Sequence, residues 1–162
     1  MKTLFILRHA KSSWADPKLA DIDRPLNKRG KRDAPRIGSL LRKNDLVPDL
    51  ILSSPAVRAR LTAEAVAEAS GYEGEIEFED NFYPGNPEDY IEVLQALPDD
   101  VNSVMVVGHN PGLEELLETL TGESAALPTA ALAQVNLPIR TWLELDDEPV
   151  GDLVNLWRVK EL

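Results

Sequence analysis

Ser103-Val104-Met105-Val106-Val107-Gly108-His109-Asn110-Pro111 is the stretch that decides the fold. Its four apolar residues, three of them β-branched, sit between Ser103 and Gly108. A run that short is a strand buried on both faces, not a helix. A helical pattern follows from Pro111 to Thr121 and stops at Gly122, a residue that tolerates the left-handed end of a helix. The same order recurs earlier. Thr3–Arg8 reads as a strand, and after a polar loop Lys31–Lys43 reads as a helix with Ile37, Leu40 and Leu41 on one face. Leu50–Ser53 reads as a third strand, with Pro55 in the first turn of a helix that runs to about Ser70 and ends at Gly71. Strands alternating with helices predict an α/β fold, a three-layer α/β/α sandwich on a mostly parallel sheet. Glu75–Glu79 alternates as an edge strand does, and Asn86-Pro87-Glu88-Asp89 starts a helix that buries Tyr90 or Ile91, Leu94 and Leu97. Ala131–Leu137 and Asp152–Val159 read as two late strands with Trp142 between them.

With 162 residues and neither a repeat nor a linker, the chain is expected to form one domain spanning 1–162. Without cysteine it has no disulfide and no thiolate metal site. The apolar run at the N-terminus is four residues long and meets Arg8, too short for a signal-peptide core or a membrane span. A cytoplasmic location with no membrane partner is the expectation. The net charge of −11 is unevenly spread: residues 1–60 hold 14 Lys/Arg against 6 Asp/Glu, and residues 61–162 hold 3 against 22. Arg24 to Lys43 alone carries eight basic residues, with Asp33 its single acid. That block is either a solvated helix face or the frame of an anionic ligand. An acidic chain with 6% aromatics lacks both the field and the stacking residues that nucleic acid binding uses, and no nucleic acid partner is expected.

The chemistry gathers at strand ends. The chain's two histidines each follow an apolar run, as Arg8-His9-Ala10-Lys11-Ser12 and as Gly108-His109-Asn110-Pro111. Ser53-Ser54-Pro55-Ala56-Val57-Arg58 follows the third run. Ligands of open α/β sheets bind at the carboxyl ends of parallel strands. Parallel pairing brings two imidazoles and two guanidiniums to one edge, the groups that hold and attack a phosphoryl group. Any one of these strings alone is also an ordinary turn or helix start; together they point to phosphoryl transfer. Two histidines without cysteine make a poor metal set, and neither a metal nor another cofactor is expected.

Arg8-His9-Ala10, Ser54-Pro55-Ala56-Val57-Arg58-Ala59-Arg60-Leu61-Thr62-Ala63 and Gly108-His109 together resemble the histidine phosphatase superfamily, whose fold is phosphoglycerate mutase-like. With the short length, Arg8-His9-Ala10-Lys11-Ser12 and Arg24-Pro25-Leu26 look most like its SixA-type phosphohistidine phosphatases. The resemblance implies His9 as nucleophile, Arg8, Arg58 and His109 as phosphoryl ligands, and Ser12 completing the cradle. Arg60, two residues along the same helix, points elsewhere. It implies a hydrolase that works without metal, through a phosphohistidine on His9. Its substrate is a phosphorylated protein or a small phosphorylated molecule.

The chain departs from the family twice. Ala15 stands where mutase-type members carry asparagine, and the stretch Glu79 to Gly85 offers no well-placed general acid, Asp80 being the nearest candidate. A missing acid leans toward phosphoramidates, because an imidazole leaving group can itself be protonated. A small-metabolite phosphatase or mutase-like enzyme is the alternative, disfavoured by the short stretch from Phe78 to Leu97. A non-catalytic phosphoprotein-binding module has no need of the nucleophile.

Overall fold

A computed structural model describes all 162 residues. Strands β1 (Lys2–Arg8), β2 (Leu50–Ser53), β3 (Ile76–Phe78), β4 (Ser103–Gly108), β5 (Leu132–Leu137) and β6 (Asp152–Trp157) form one sheet in the order β3-β2-β4-β1-β5-β6. The first four in that order are parallel, and β5 and β6 add antiparallel at one edge. Alternation along the strands divides the core. Phe5, Leu7, Ile51, Met105 and Val107 face helices α1 (Lys28–Lys43) and α2 (Val57–Ser70). Leu4, Ile6, Leu52, Val104 and Val106 face α3 (Pro87–Gln95) and α4 (Gly112–Thr121). Three layers result, as a sheet with two apolar faces requires.

Most element ends follow local chemistry. Gly71 and Gly122 close α2 and α4 at φ of 78° and 76°. Asn86 and Asp89 form a reciprocal capping box around Pro87. Several boundaries differ from the sequence reading: β6 stops at Trp157 before Val159, Leu97 lies half-buried beyond the end of α3, and two helix starts shift. Helix α1 starts three residues earlier, at Lys28, because the Asn27 side chain accepts the Gly30 N–H at 2.9 Å. Pro55 lies outside α2, which begins at Val57; the Ser54 hydroxyl takes the Ala56 N–H at 3.1 Å and turns the chain before the helix starts. Trp142 is buried in a short 3₁₀ turn, its indole N–H on Val101 O. No helix is long and apolar enough to cross a membrane.

Register is what the fold contributes to function. Arg8 pairs with Gly108 across β1 and β4, and Ser53 with Val107 across β2 and β4. The ladder continues past the strands: His9 N–H donates to Gly108 O at 3.1 Å and Ser54 N–H to Val107 O at 2.9 Å. The three strand ends therefore leave the sheet side by side.

Candidate active site

His9 and His109 lie together at this edge, ring centroids 5.2 Å apart and both almost fully buried. His9 Nδ1 is 2.7 Å from Ala10 O. A carbonyl only accepts, so this contact fixes the proton on Nδ1 and leaves Nε2 with a free lone pair. His109 Nε2 is 2.8 Å from Ser54 Oγ, and its Nδ1 bonds to no protein group. Gly108 has no room for a side chain, since a Cβ there would collide with the Tyr90 hydroxyl.

Three arginines converge. Arg58, in the first turn of α2, is 6% exposed and gives Nη1 to Asp21 O at 2.6 Å and Nη2 to Asp21 Oδ2 at 2.9 Å. Arg24, 7% exposed, gives Nε to Asp21 Oδ1 at 3.1 Å and Nη1 to Ser12 Oγ at 2.8 Å, under the ring of Trp14. Arg8 gives Nη1 to Leu127 O at 3.1 Å. Nε of Arg8 and Nε of Arg58 are buried and bonded to nothing in the protein. Unmet buried donors are costly, and both guanidiniums stand close enough to His9 and His109 to lower their pKa values.

This setting governs the titrations. Burial foremost holds the His9 pKa down to about 4; the hydrogen bond to Ala10 O pulls it upward, and Arg58, Arg8 and Arg24 add smaller downward pushes. Burial, then His9 and Arg58, holds His109 down to about 3. Both are neutral near pH 7. Asp21 is held at about 2, chiefly by the Tyr83 hydroxyl at 2.6 Å and then by Arg58 and Arg24. Arg8 is lowered by burial and by Arg58, with Glu114 opposing.

Of the residues singled out in the sequence, Arg8, His9, Arg58 and His109 are brought together. Ser12 is also there, its hydroxyl engaged by Arg24. Asp80 is exposed in a short 3₁₀ turn and forms none of the side-chain bonds described above, and Arg60 pairs outward with Glu64. Sequence reasoning quoted Arg24, Ser54 and Thr62 within motifs but gave them no role, and it gave none to Asp21 or Tyr83. Thr62 ties α2 to the catalytic loop, accepting Ala10 N–H at 2.9 Å and donating to Arg58 O at 2.7 Å. Its signal was available, because Thr62 stands one helical turn after Arg58. Arg24 had the adjacent Pro25 to mark it; Asp21 and Tyr83 carry no periodic signal. No group of three or more His, Asp or Glu side chains forms a candidate metal cluster.

A model of the histidine phosphatase superfamily, branch 1, matches residues 4–83. An uncharacterised chloroplast protein of Arabidopsis thaliana is 35% identical over 152 residues, covering 88% of this chain and 70% of its own length. The crystal structure of a putative phosphohistidine phosphatase SixA from Agrobacterium tumefaciens is 34% identical with a TM-score of 0.83, covering 97% of each chain. A protein histidine phosphatase SixA complexed with tungstate is 26% identical with a TM-score of 0.84, covering 98% of each.

Proposed function

The chain belongs to the histidine phosphatase superfamily and is of the SixA type, and from that premise we propose that it hydrolyses phosphohistidine on protein in the cytoplasm. The observation that carries the reading is His9 itself: Nδ1–H is spent on Ala10 O, and Nε2 is bare among Arg8, Arg24, Arg58 and His109.

In the first step the Nε2 lone pair forms a bond to phosphorus as the bond to the leaving nitrogen breaks, its electron pair staying on the departing imidazole. Arg8 and Arg58 hold the phosphoryl oxygens through charge-assisted bonds, and their Nε donors gain the partners they lack. The dianion raises the pKa of His109 and draws a proton onto it, adding a further donor. Fixed donors neutralise charge as it spreads in the transition state, which is where such sites gain their rate. In the second step water attacks phosphorus, the bond to His9 Nε2 breaks, and phosphate leaves. No metal has a part in either step.

The leaving group follows from Asp21, since the proton drawn onto His109 is engaged with the phosphoryl oxygens. This carboxylate is bonded into the site, yet with a pKa of about 2 it is an anion and has no proton to give. An alkoxide leaving group needs an acid; an imidazole, basic near pH 6.5, takes its proton from solvent. That difference favours phosphohistidine over alkyl phosphates.

The test sets a phosphohistidine protein, an aryl phosphate and 3-phosphoglycerate side by side. Turnover of the first, with acid-labile and base-stable label trapped on His9, is the expected result. Turnover of 3-phosphoglycerate alone, or label on a serine, overturns the proposal.

A further inference from the structure

Beside the site, on the α1 side, lies a cleft of about 350 Å³ that the reaction does not use. Arg29, Arg32 and Arg36 of α1 line it together with Arg158 and Lys160 from the end of the chain. Asp33, buried beneath them, pairs with three of the arginines at 3.1 to 3.9 Å, and Glu161 meets Arg158 at 3.6 Å. Five cations outnumber the two side-chain carboxylates, with Arg36 also reaching Leu162 O at 3.5 Å, on a chain whose net charge is −11.

The cleft adjoins the catalytic edge through one segment. Toward the site, Leu127 O holds Arg8, and Ala130 N–H reaches both Arg8 O and His9 O at 3.1 Å. Toward the cleft, Ala126 O holds Arg158 and Thr129 Oγ1 holds Arg29 at 3.2 Å. Residues 126–130 therefore touch both the site and the cleft, which makes the two neighbours.

The cations here differ from those at the site. Their side chains are exposed, from 27% for Arg158 to 65% for Arg32, and none has a buried donor without a partner. Nothing demands one compact anion; splayed guanidiniums suit carboxylates spaced along a chain. We propose that this cleft docks an acidic segment of the phosphorylated protein substrate, a run of Asp or Glu flanking the phosphorylated side chain. The proposal rests on the phosphoprotein reading above. Docking of this kind acts mainly on encounter and weakens with salt.

The probe is a fluorescein-labelled, unphosphorylated Asp/Glu-rich peptide, followed by anisotropy with the full chain. Wild type should bind it at low salt and release it as salt rises. The triple variant Arg32→Gln, Arg36→Gln, Lys160→Gln should bind about tenfold more weakly, exposed ion pairs being worth a factor of about two each. Its kcat on an aryl phosphate should be unchanged, which also certifies the fold. A phosphohistidine peptide with acidic flanks should show a KM below that of its Asn/Gln-flanked counterpart in wild type and lose that advantage in the variant. Equal binding by both proteins, or none at low salt, overturns the docking site. Peptide binding that depends on the cleft, without turnover of either phosphohistidine peptide, overturns the substrate reading and leaves the cleft's acidic preference standing.

Discussion

Two sets of arginines stand close together in this molecule and do different work. Arg24 and Arg58 are 7% and 6% exposed, and Arg58, like Arg8, keeps a buried Nε–H without a partner. Arg29, Arg32 and Arg36 are 54%, 65% and 41% exposed at the side chain and fan around Asp33. Residue type and net charge alone do not separate the sets. Burial with unmet hydrogen bonds does: a buried guanidinium has shed its water and gains strongly from an anion, whereas an exposed one exchanges water for partner at little profit. On the proposed reading the first set bonds a phosphoryl group and the second acts by long-range attraction.

The comparison breaks first at His9 and Arg58. His9→Ala should lower kcat on any substrate by about 10⁴-fold or more, since the covalent step has no other nucleophile. Phosphate binding should survive in part, because the arginines remain. Arg58→Lys keeps the charge and loses the planar fork that reaches two acceptors, so kcat/KM should drop by about 10²-fold. Steady-state kinetics with an aryl phosphate checks both. A lysine that restores wild-type rates would mean that charge alone is at work in the buried set, and the contrast collapses.

The buried arginines and the burial they share also set a pH signature. Imidazole C2 protons followed by NMR should titrate with midpoints near 4 for His9 and 3 for His109, well below the ordinary 6.5. Saturating phosphate should move them upward. Folding favours the neutral rings, so the stability they contribute is fully present above pH 6.5. It is lost as pH falls from there toward about 4 for His9 and about 3 for His109. Thermal melts across this range should fall less steeply for His109→Gln than for wild type. Midpoints near 6.5 would show that the rings are open to water.

Asp21 sharpens the same contrast on a smaller scale. Its carboxylate occupies Arg58 and Arg24 where a phosphoryl oxygen would compete. Asp21→Asn should therefore lower the inhibition constant of inorganic phosphate about fivefold, the worth of a half-exposed charge pair. A rise would instead make Asp21 the residue that aims Arg58, and the split between KM and kcat would show it.

What the sequence revealed and what it hid follow from the same physics. Val104–Val107 and Leu4–Leu7 are apolar without interruption because both faces of β4 and β1 are covered, so the strands and the chemistry at their ends could be read directly. His9, His109, Arg8 and Arg58 were legible because each sits at a fixed step from such a run. The antiparallel direction of β5 and β6 was not, because an apolar pattern carries no sign of direction. Asp21 and Tyr83 stayed hidden for a different reason. They arrive on loops from 62 residues apart and meet through tertiary folding, for which no local period exists.

The smallest effect is the one expected of the exposed set. Arg36 meets Asp33 at 3.8 Å through a side chain that is 41% exposed, and Arg29 and Arg32 stay on the same carboxylate if it is changed. Arg36→Lys keeps the charge that long-range attraction uses and gives up a fork geometry that nothing there requires. Stability should change by less than about 0.5 kcal/mol, as for other exposed ion pairs, and kcat on an aryl phosphate by less than about twofold. Denaturant unfolding and steady-state rates measure the two. The same Arg-to-Lys exchange thus costs about 10²-fold at Arg58 and almost nothing at Arg36. Equal losses at both positions would make burial irrelevant to what these arginines do.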